Sequence, residues 1–184
     1  MPLRKDYRLR RMNEGDLEMV LRWRNTDRIR ANMFTDQVVA VEEHKAWFDK
    51  INRDPNTVYM IFEHQGRPKG LVNFVQIDRH NSKCSWGFYI GEEGTPRGTG
   101  TKMACLGLEY AFGVLDIRKL YAEIFAFNTI SINLHKKLGF TEEACFKKHV
   151  LKNGEYQDVV IMTLFNTTWQ KTKSVIESLC FGGD

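Results

Sequence analysis

Gly91-Glu92-Glu93-Gly94-Thr95-Pro96-Arg97-Gly98-Thr99-Gly100-Thr101-Lys102 stands between an apolar, β-prone run, Cys84-Ser85-Trp86-Gly87-Phe88-Tyr89-Ile90, and a long run that predicts an amphipathic helix through Met103, Leu106, Tyr110, Ala111 and Val114. Glycines at 91, 94, 98 and 100 let the backbone turn its N–H groups toward one point. The helix start adds about half a positive charge there, and Arg97 and Lys102 supply whole ones. A strand, glycine loop and helix in this order grip phosphate oxygens. The loop is not a Walker loop, which needs Gly-Lys-Ser/Thr at the helix entry. Nor is it the dinucleotide fingerprint, whose three glycines stand at other spacings.

Reading outward, the two β-prone runs before this segment, Val58–Phe62 and Leu71–Val75, are separated from each other and from Cys84–Ile90 by turn signals, Gln65-Gly66-Arg67-Pro68 and Asp78–Ser82. Three short strands so punctuated predict an antiparallel meander. Upstream, Tyr7–Met12 predicts a strand, and Asn13 with Asp16 offers a cap for Leu17, Val20, Leu21 and Trp23 at helical spacing. A polar stretch, Asn25–Asp36, precedes a second helix from Val41 in which Trp47, Phe48 and Ile51 share a face, ended by Pro55. Downstream, Lys119–Phe127 predicts a strand and Thr129–Leu138 a helix stopped by a left-handed Gly139. Phe140–Lys152 and Glu155–Phe165 flank Asn153-Gly154, a strong hairpin signal. The predicted order is β-α-α-β-β-β-α-β-α-β-β. It describes an α/β (α+β) single domain over residues 1–165, with a polar tail from 166 to 184 that is open to helix formation.

Composition narrows the function classes. The 184 residues, 42% hydrophobic and 27% charged, suffice for one domain with a sizeable core. The balance of 27 basic against 23 acidic residues is mild and dispersed, whereas nucleic-acid binding needs a concentrated patch. A phosphate-bearing small ligand remains compatible. No apolar run approaches the ~20 residues of a membrane span, and the first residues, MPLRKDYRLRR, lack the apolar segment of a leader. A cytoplasmic protein is therefore expected. Four widely spaced cysteines and five histidines without metal-ligand spacing predict neither disulfides nor a metal site.

A second constellation, Asn128-Thr129-Ile130-Ser131-Ile132-Asn133-Leu134-His135-Lys136-Lys137-Leu138-Gly139-Phe140, follows R-G-x-G by about thirty residues. Together these resemble the GNAT superfamily of acetyl-CoA-dependent N-acetyltransferases, and the element order matches that fold over most of the chain. The resemblance implies a mixed central sheet flanked by helices. In it, the strand before the glycine loop and the strand after the long helix splay apart around the pantetheine arm. It implies that Phe88, Tyr89 and Ile90 present backbone groups to the pantetheine and thioester. Arg97, Gly98, Thr99, Gly100 and Thr101 would hold the pyrophosphate, and Asn128 would bond the arm. A neutral amine would attack the thioester carbonyl, with strand N–H groups near Tyr89 stabilising the oxyanion.

Two residues are candidates for proton transfer. The family usually places a tyrosine where His135 stands, as the acid that protonates the departing thiolate. An imidazolium with a reference pKa near 6.5 can donate at similar reach. Glu123, an acidic residue inside the apolar strand Lys119–Phe125, should either pair or face a cleft. It is the candidate base or ligand for the amino substrate.

The acceptor is read from the amino-terminal third. Trp23-Arg24-Asn25, Asn32-Met33-Phe34 and His44 with Trp47 combine aromatic surface, a thioether and hydrogen-bonding heads. The pattern L-R-W-R-N, N-M-F, E-E-H-x-x-W-F resembles a narrower GNAT subgroup, the PseH-like enzymes of pseudaminic acid biosynthesis. These acetylate the 4-amino group of a UDP-4-amino-4,6-dideoxy-N-acetyl-hexosamine. That resemblance implies that Arg24, Met33, Phe34, His44, Trp47 and Glu123 meet an amino-sugar nucleotide. Alternatives are a ribosomal-protein or peptide N-terminal acetyltransferase and a non-catalytic acetyl-CoA-binding module. The basic character of Arg22, Arg24, Arg28 and Arg30 favours the anionic acceptor. A homodimer is compatible with the family.

Overall fold

A computed structural model describes residues 4–182. Seven strands form one mixed sheet in the order β1-β2-β3-β4-β5-β7-β6. They are β1 (Tyr7–Arg11), β2 (Val58–His64), β3 (Arg67–Asp78), β4 (Lys83–Ile90), β5 (Lys119–Phe125), β6 (Thr141–Lys152) and β7 (Glu155–Phe165). The predicted meander is β2-β3-β4, closed by a two-residue turn in which Gln65 and Gly66 both have positive φ, at 51° and 72°. The turn is tighter than the sequence suggested: Arg67 and Pro68 already belong to β3. Asn153 and Gly154, with φ of 48° and 82°, form the predicted hairpin.

The helices are α1 (Leu17–Arg24), α2 (Asp27–Arg30), α3 (Val41–Arg53), α4 (Thr99–Gly113), α5 (Thr129–Lys137) and α6 (Asn166–Phe181). Two differ from expectation. The polar stretch after α1 contains a single turn of helix, α2, whose one buried residue is Ile29. The helix predicted to run through Val114 ends at Gly113, and Val114 is exposed. Nor is α4 amphipathic: Met103, Ala104, Cys105, Leu106, Leu108, Ala111 and Phe112 are all buried. The reason is α6, which packs along α4 and supplies a second cover beside the sheet, with Trp169 buried and stacked on Phe112 at 6.1 Å. Each large apolar side chain so buried contributes about 1.5–3 kcal/mol. The tail's last residues, Gly183 and Asp184, lie outside the described residues.

Arg10 places α1 against the sheet. It grips both carboxylate oxygens of the buried Asp16 at 2.7 Å and reaches Glu63 of β2 at 2.7 Å. A planar guanidinium fork holds such a pair in one geometry. Helices α1 and α3 cover one face of the sheet around Trp23, Phe48 and Ile61, while α4 and the larger core cluster lie on the other.

One irregularity makes the site. β4 and β5 are parallel neighbours, but they pair only over Lys83–Lys119, Cys84–Leu120 and Ser85–Tyr121. Beyond that β4 continues against β3 as far as Ile90, and β5 continues against β7 as far as Phe125. The sheet therefore opens into a wedge between Trp86–Ile90 and Ala122–Phe125, as expected from the splayed strands.

Candidate active site

The wedge continues into a cavity of about 920 Å³, walled by β4 and β5 and by residues of α1, α2, α3 and α5. Glycine loop, wedge and acceptor side meet there, and its lining includes Arg24, Met33, Phe34, His44, Trp47, Phe88, Tyr89, Ile90, Gly100, Glu123, Asn128 and His135. Four buried polar atoms of the lining have no hydrogen-bond partner: Arg24 Nη1, His44 Nε2, Trp86 Nε1 and His135 Nε2. Buried polar groups are nearly always paired, so these four atoms of the lining are the ones a polar ligand in the cavity can pair.

At the glycine-loop end, Gly98 is the N-cap of α4 at φ +85°, a backbone conformation costly for any residue with a Cβ. No side chain caps this helix. The N–H groups of Gly100 and Thr101, in a first turn that offers them no helical acceptor, are free to meet an anion. Arg97 makes no ion pair among the described residues and is exposed. Thr99 is a correction. It was expected among the phosphate ligands, but its hydroxyl and its N–H both donate to the Pro96 carbonyl, at 2.6 and 3.2 Å. It builds the turn instead.

The strand itself brings a second correction. Gly91 N–H donates to the Lys69 carbonyl of β3 at 2.9 Å, and the Tyr89 carbonyl lies against Gly70 of β3. Backbone groups alternate sides along a strand, so those of Phe88 and Ile90 face the wedge and those of Tyr89 do not. The N–H groups that β4 turns toward the wedge are thus those of Phe88 and Ile90. The Ile90 carbonyl already accepts from Arg28 Nη1 at 2.9 Å, while Nη2 of the same residue reaches the Gly91 carbonyl at 2.9 Å. This bridge from α2 across the mouth had no signal in the sequence beyond a local excess of arginine. At Asn128, the side-chain oxygen caps α5 through Ser131 N–H at 3.1 Å, which leaves its amide donors for the cavity.

Gly91 is required by a close approach. A Cβ built there would stand 2.0 Å from Trp23 Cδ2, because the buried indole lies flat over this residue while its Nε1 donates to Glu92 at 2.9 Å. Gly91→Ala must push the ring away, and the expected loss is about 1–3 kcal/mol of stability, read from the denaturant midpoint. An unchanged midpoint would show that Trp23 yields freely.

His135 is where the geometry departs most from expectation. It is 3% exposed, enclosed by Phe88, Trp86 and Phe140 with ring centroids at 5.5, 5.6 and 4.9 Å. Its Nδ1 lies 2.8 Å from the Ser131 carbonyl, which can only accept, so Nδ1 carries the proton. Burial pushes its pKa down to about 4, against a smaller opposing effect of that bond. The ring is thus neutral near pH 7 with a bare lone pair at Nε2. The expected imidazolium, as a proton donor to the thiolate, does not fit this environment. Glu123 is exposed on β5 and lines the cavity, so of the two alternatives the cleft-facing one holds.

On the acceptor side, Trp47 stacks on His44 at 4.9 Å and meets the edge of Tyr59 at 5.0 Å. Tyr59 was not foreseen. His44 is buried, which lowers its pKa, and its ring bonds the backbone of Leu17. Arg24 donates to Thr35 Oγ1 at 2.5 Å through Nη2, and burial lowers its pKa as well. Phe34, 39% exposed, stands edge-on to Phe125 at 4.9 Å.

Residues 9–161 match the family model described as the acetyltransferase (GNAT) domain. The chain belongs to the GNAT family. It is an acetyl-CoA-dependent N-acetyltransferase, and the uncapped α4 and the open edge of β4 fit the pyrophosphate and pantetheine of that cosubstrate. The acetyltransferase is 28% identical over 165 residues to a spermidine N(1)-acetyltransferase of Escherichia coli K12, covering 90% of this chain and 89% of that one. It is 26% identical over 130 residues to the acetyltransferase PseH of Campylobacter jejuni strain 81-176, covering 71% and 80%. A crystal structure of spermidine N-acetyltransferase from Vibrio cholerae in complex with CoA and spermine superposes with a TM-score of 0.85 at 23% identity, covering 90% of this chain and 99% of the other. Among the described residues no helix is long and apolar enough to cross a membrane. Nor do they hold a cluster of three or more His, Cys, Asp or Glu side chains able to bind a metal.

Proposed function

We propose that this acetyltransferase moves acetyl from acetyl-CoA to the 4-amino group of a UDP-4-amino-4,6-dideoxy-N-acetyl-hexosamine, the reaction of PseH-like enzymes. The observation that carries this reading is the pair of orphans at the acceptor end, the donor Arg24 Nη1 and the acceptor His44 Nε2. A polyamine offers only N–H donors and positive charge, so it cannot satisfy Arg24 and is repelled by it. A nucleotide sugar offers hydroxyls, an amide and phosphates, which can satisfy both. Met33, Phe34 and Trp47 supply apolar and aromatic surface for its rings. Glu123 receives the amine, and the Phe88 or Ile90 N–H meets the oxyanion. The amine nitrogen bonds the acetyl carbon, the C–S bond breaks, and coenzyme A leaves. The surplus amine proton passes to Glu123, directly or through water, or to the departing sulfur.

A second reading is polyamine acetylation, favoured by the relatives of higher identity and by the carboxylate of Glu123 in the cavity. The other carboxylate of the lining, Glu43, is committed to capping α3 through Ala40 N–H at 2.9 Å. Two carboxylates against two arginines leave the lining without the net negative charge that would hold a polycation. Thiol release from acetyl-CoA, with the UDP-amino sugar, spermidine and a ribosomal-protein amino-terminal peptide in parallel, decides between them. Release with the sugar alone is expected. Release with spermidine or the peptide alone would replace this reading by the corresponding one.

A further inference from the structure

Lys152 ends β6 immediately before the hairpin turn, yet it is only 4% exposed. Its Nζ lies 2.7 Å from Asp36 Oδ1, 2.8 Å from the Met33 carbonyl and 3.2 Å from the Arg30 carbonyl. Those three acceptors use all the protons an ammonium has. The same Nζ stands over the Phe125 ring at 5.5 Å, and the next residue, Asn153, donates its N–H to Asp36 Oδ2 at 2.8 Å. A buried ammonium is costly to desolvate, and an apolar side chain of similar size would stabilise a fold at least as well. What the charge adds here is a fixed position for one particular segment.

That segment, Arg28 to Asp36, crosses the cavity mouth and carries Met33 and Phe34. Arg28 ties one end to the carbonyls of Ile90 and Gly91 on the cofactor strand. Lys152 and Asn153 tie the other to the β6–β7 hairpin. We propose that Lys152 is a positioning residue for acceptor specificity: from outside the cavity lining it pins the strap that bears Met33 and Phe34 against β5 and so fixes the width of the acceptor end. This rests on the reading that the acceptor occupies that end.

The test compares Lys152→Met, which keeps the stem and removes the charge, with Lys152→Arg, which keeps a charge that can bridge the same oxygens. Asp36→Asn serves as a second, milder variant. With the acceptor that the wild type turns over in the thiol-release assay, Lys152→Met should raise the acceptor KM ~10-fold or more, while the acetyl-CoA KM stays within about twofold. Lys152→Arg should recover most of the loss and Asp36→Asn should show part of it. Trypsin should cut native Lys152→Met after Arg30 roughly ten times faster than wild type, as expected of a strap released at one end. Equal rises in both KM values, or an unchanged acceptor KM with unchanged cleavage, would overturn the proposal. If the wild type acetylates spermidine or the peptide instead of the sugar, the amino-sugar reading fails. The KM split and the cleavage rate are then read with that acceptor and judge Lys152 separately.

Discussion

Arg24→Met should raise the acceptor KM by about 30- to 100-fold and leave the acetyl-CoA KM within about twofold. The magnitude is that of a lost hydrogen bond from a charged donor in a water-poor pocket, about 2–3 kcal/mol. Its Nη1 has no partner among the described residues, while Nη2 is held by Thr35. The guanidinium is therefore anchored by one nitrogen and offers the other. Methionine keeps the length and the apolar stem, so the wall of the cavity should stand. The sign of the effect is as informative as its size. If the acceptor is a polyamine, removal of this positive charge should instead lower its KM, since the repulsion disappears while Glu123 remains. An acceptor KM that does not move would show that Arg24 serves only to hold Thr35 and the strap. Paired with the three-acceptor assay, this variant separates an anionic from a cationic substrate without knowledge of the sugar's stereochemistry.

The parts of this site that are local in sequence were legible, and those built from distant contacts were not. The glycine loop, the α5 motif with its Gly139 stop at φ +91°, and the Asn153-Gly154 hairpin depend on a few neighbouring residues. Such preferences are written in the residue types themselves. The wedge followed from family resemblance, and the strand register bears it out. By contrast, which backbone groups of β4 face the wedge depends on how β3 pairs with it, and a shift of one residue exchanges the two sides. Of Phe88, Tyr89 and Ile90, which the resemblance names together, only the outer two turn their backbone groups to the wedge. Thr99 matched a motif letter, but the turn that the motif builds consumes its hydroxyl. The reach of Lys152 to Asp36 spans more than a hundred residues, and no periodicity encodes it. α4 was read as amphipathic because α6, its second cover, was read as a tail.

For His135 the sequence offers a family position, that of the usual tyrosine acid, and says nothing of what surrounds the ring. The three rings that enclose it come from β4 and from Phe140, the residue before β6, so its environment exists only in the folded sheet. Its expected behaviour is measurable without any substrate. The folded protein resists protonating this ring until pH falls to about 4, whereas the unfolded chain protonates it near the ordinary 6.5. Between those values the unfolded state holds more protons, so stability should fall as pH drops, by about 3 kcal/mol across the window. Above pH 6.5 the contribution is fully present, and below about 4 it is gone. His44, also lowered by burial, adds a slope of the same sign, while Asp16 and Glu63, where burial pushes the pKa up but the bonds to arginine and their charge together outweigh it, act at more acid pH. The difference between wild type and His135→Phe isolates the one ring. Phenylalanine suits the aromatic enclosure and cannot titrate, so the variant should gain on the wild type by about 2–3 kcal/mol between pH 7 and pH 4.5 in denaturant unfolding. Parallel stability curves would mean that the ring is hydrated or charged in the native state, and the thiolate-protonating role would regain its basis. The difference in slope expected here assigns the sulfur's proton to another source, and the amine that has just attacked the thioester carries one to give.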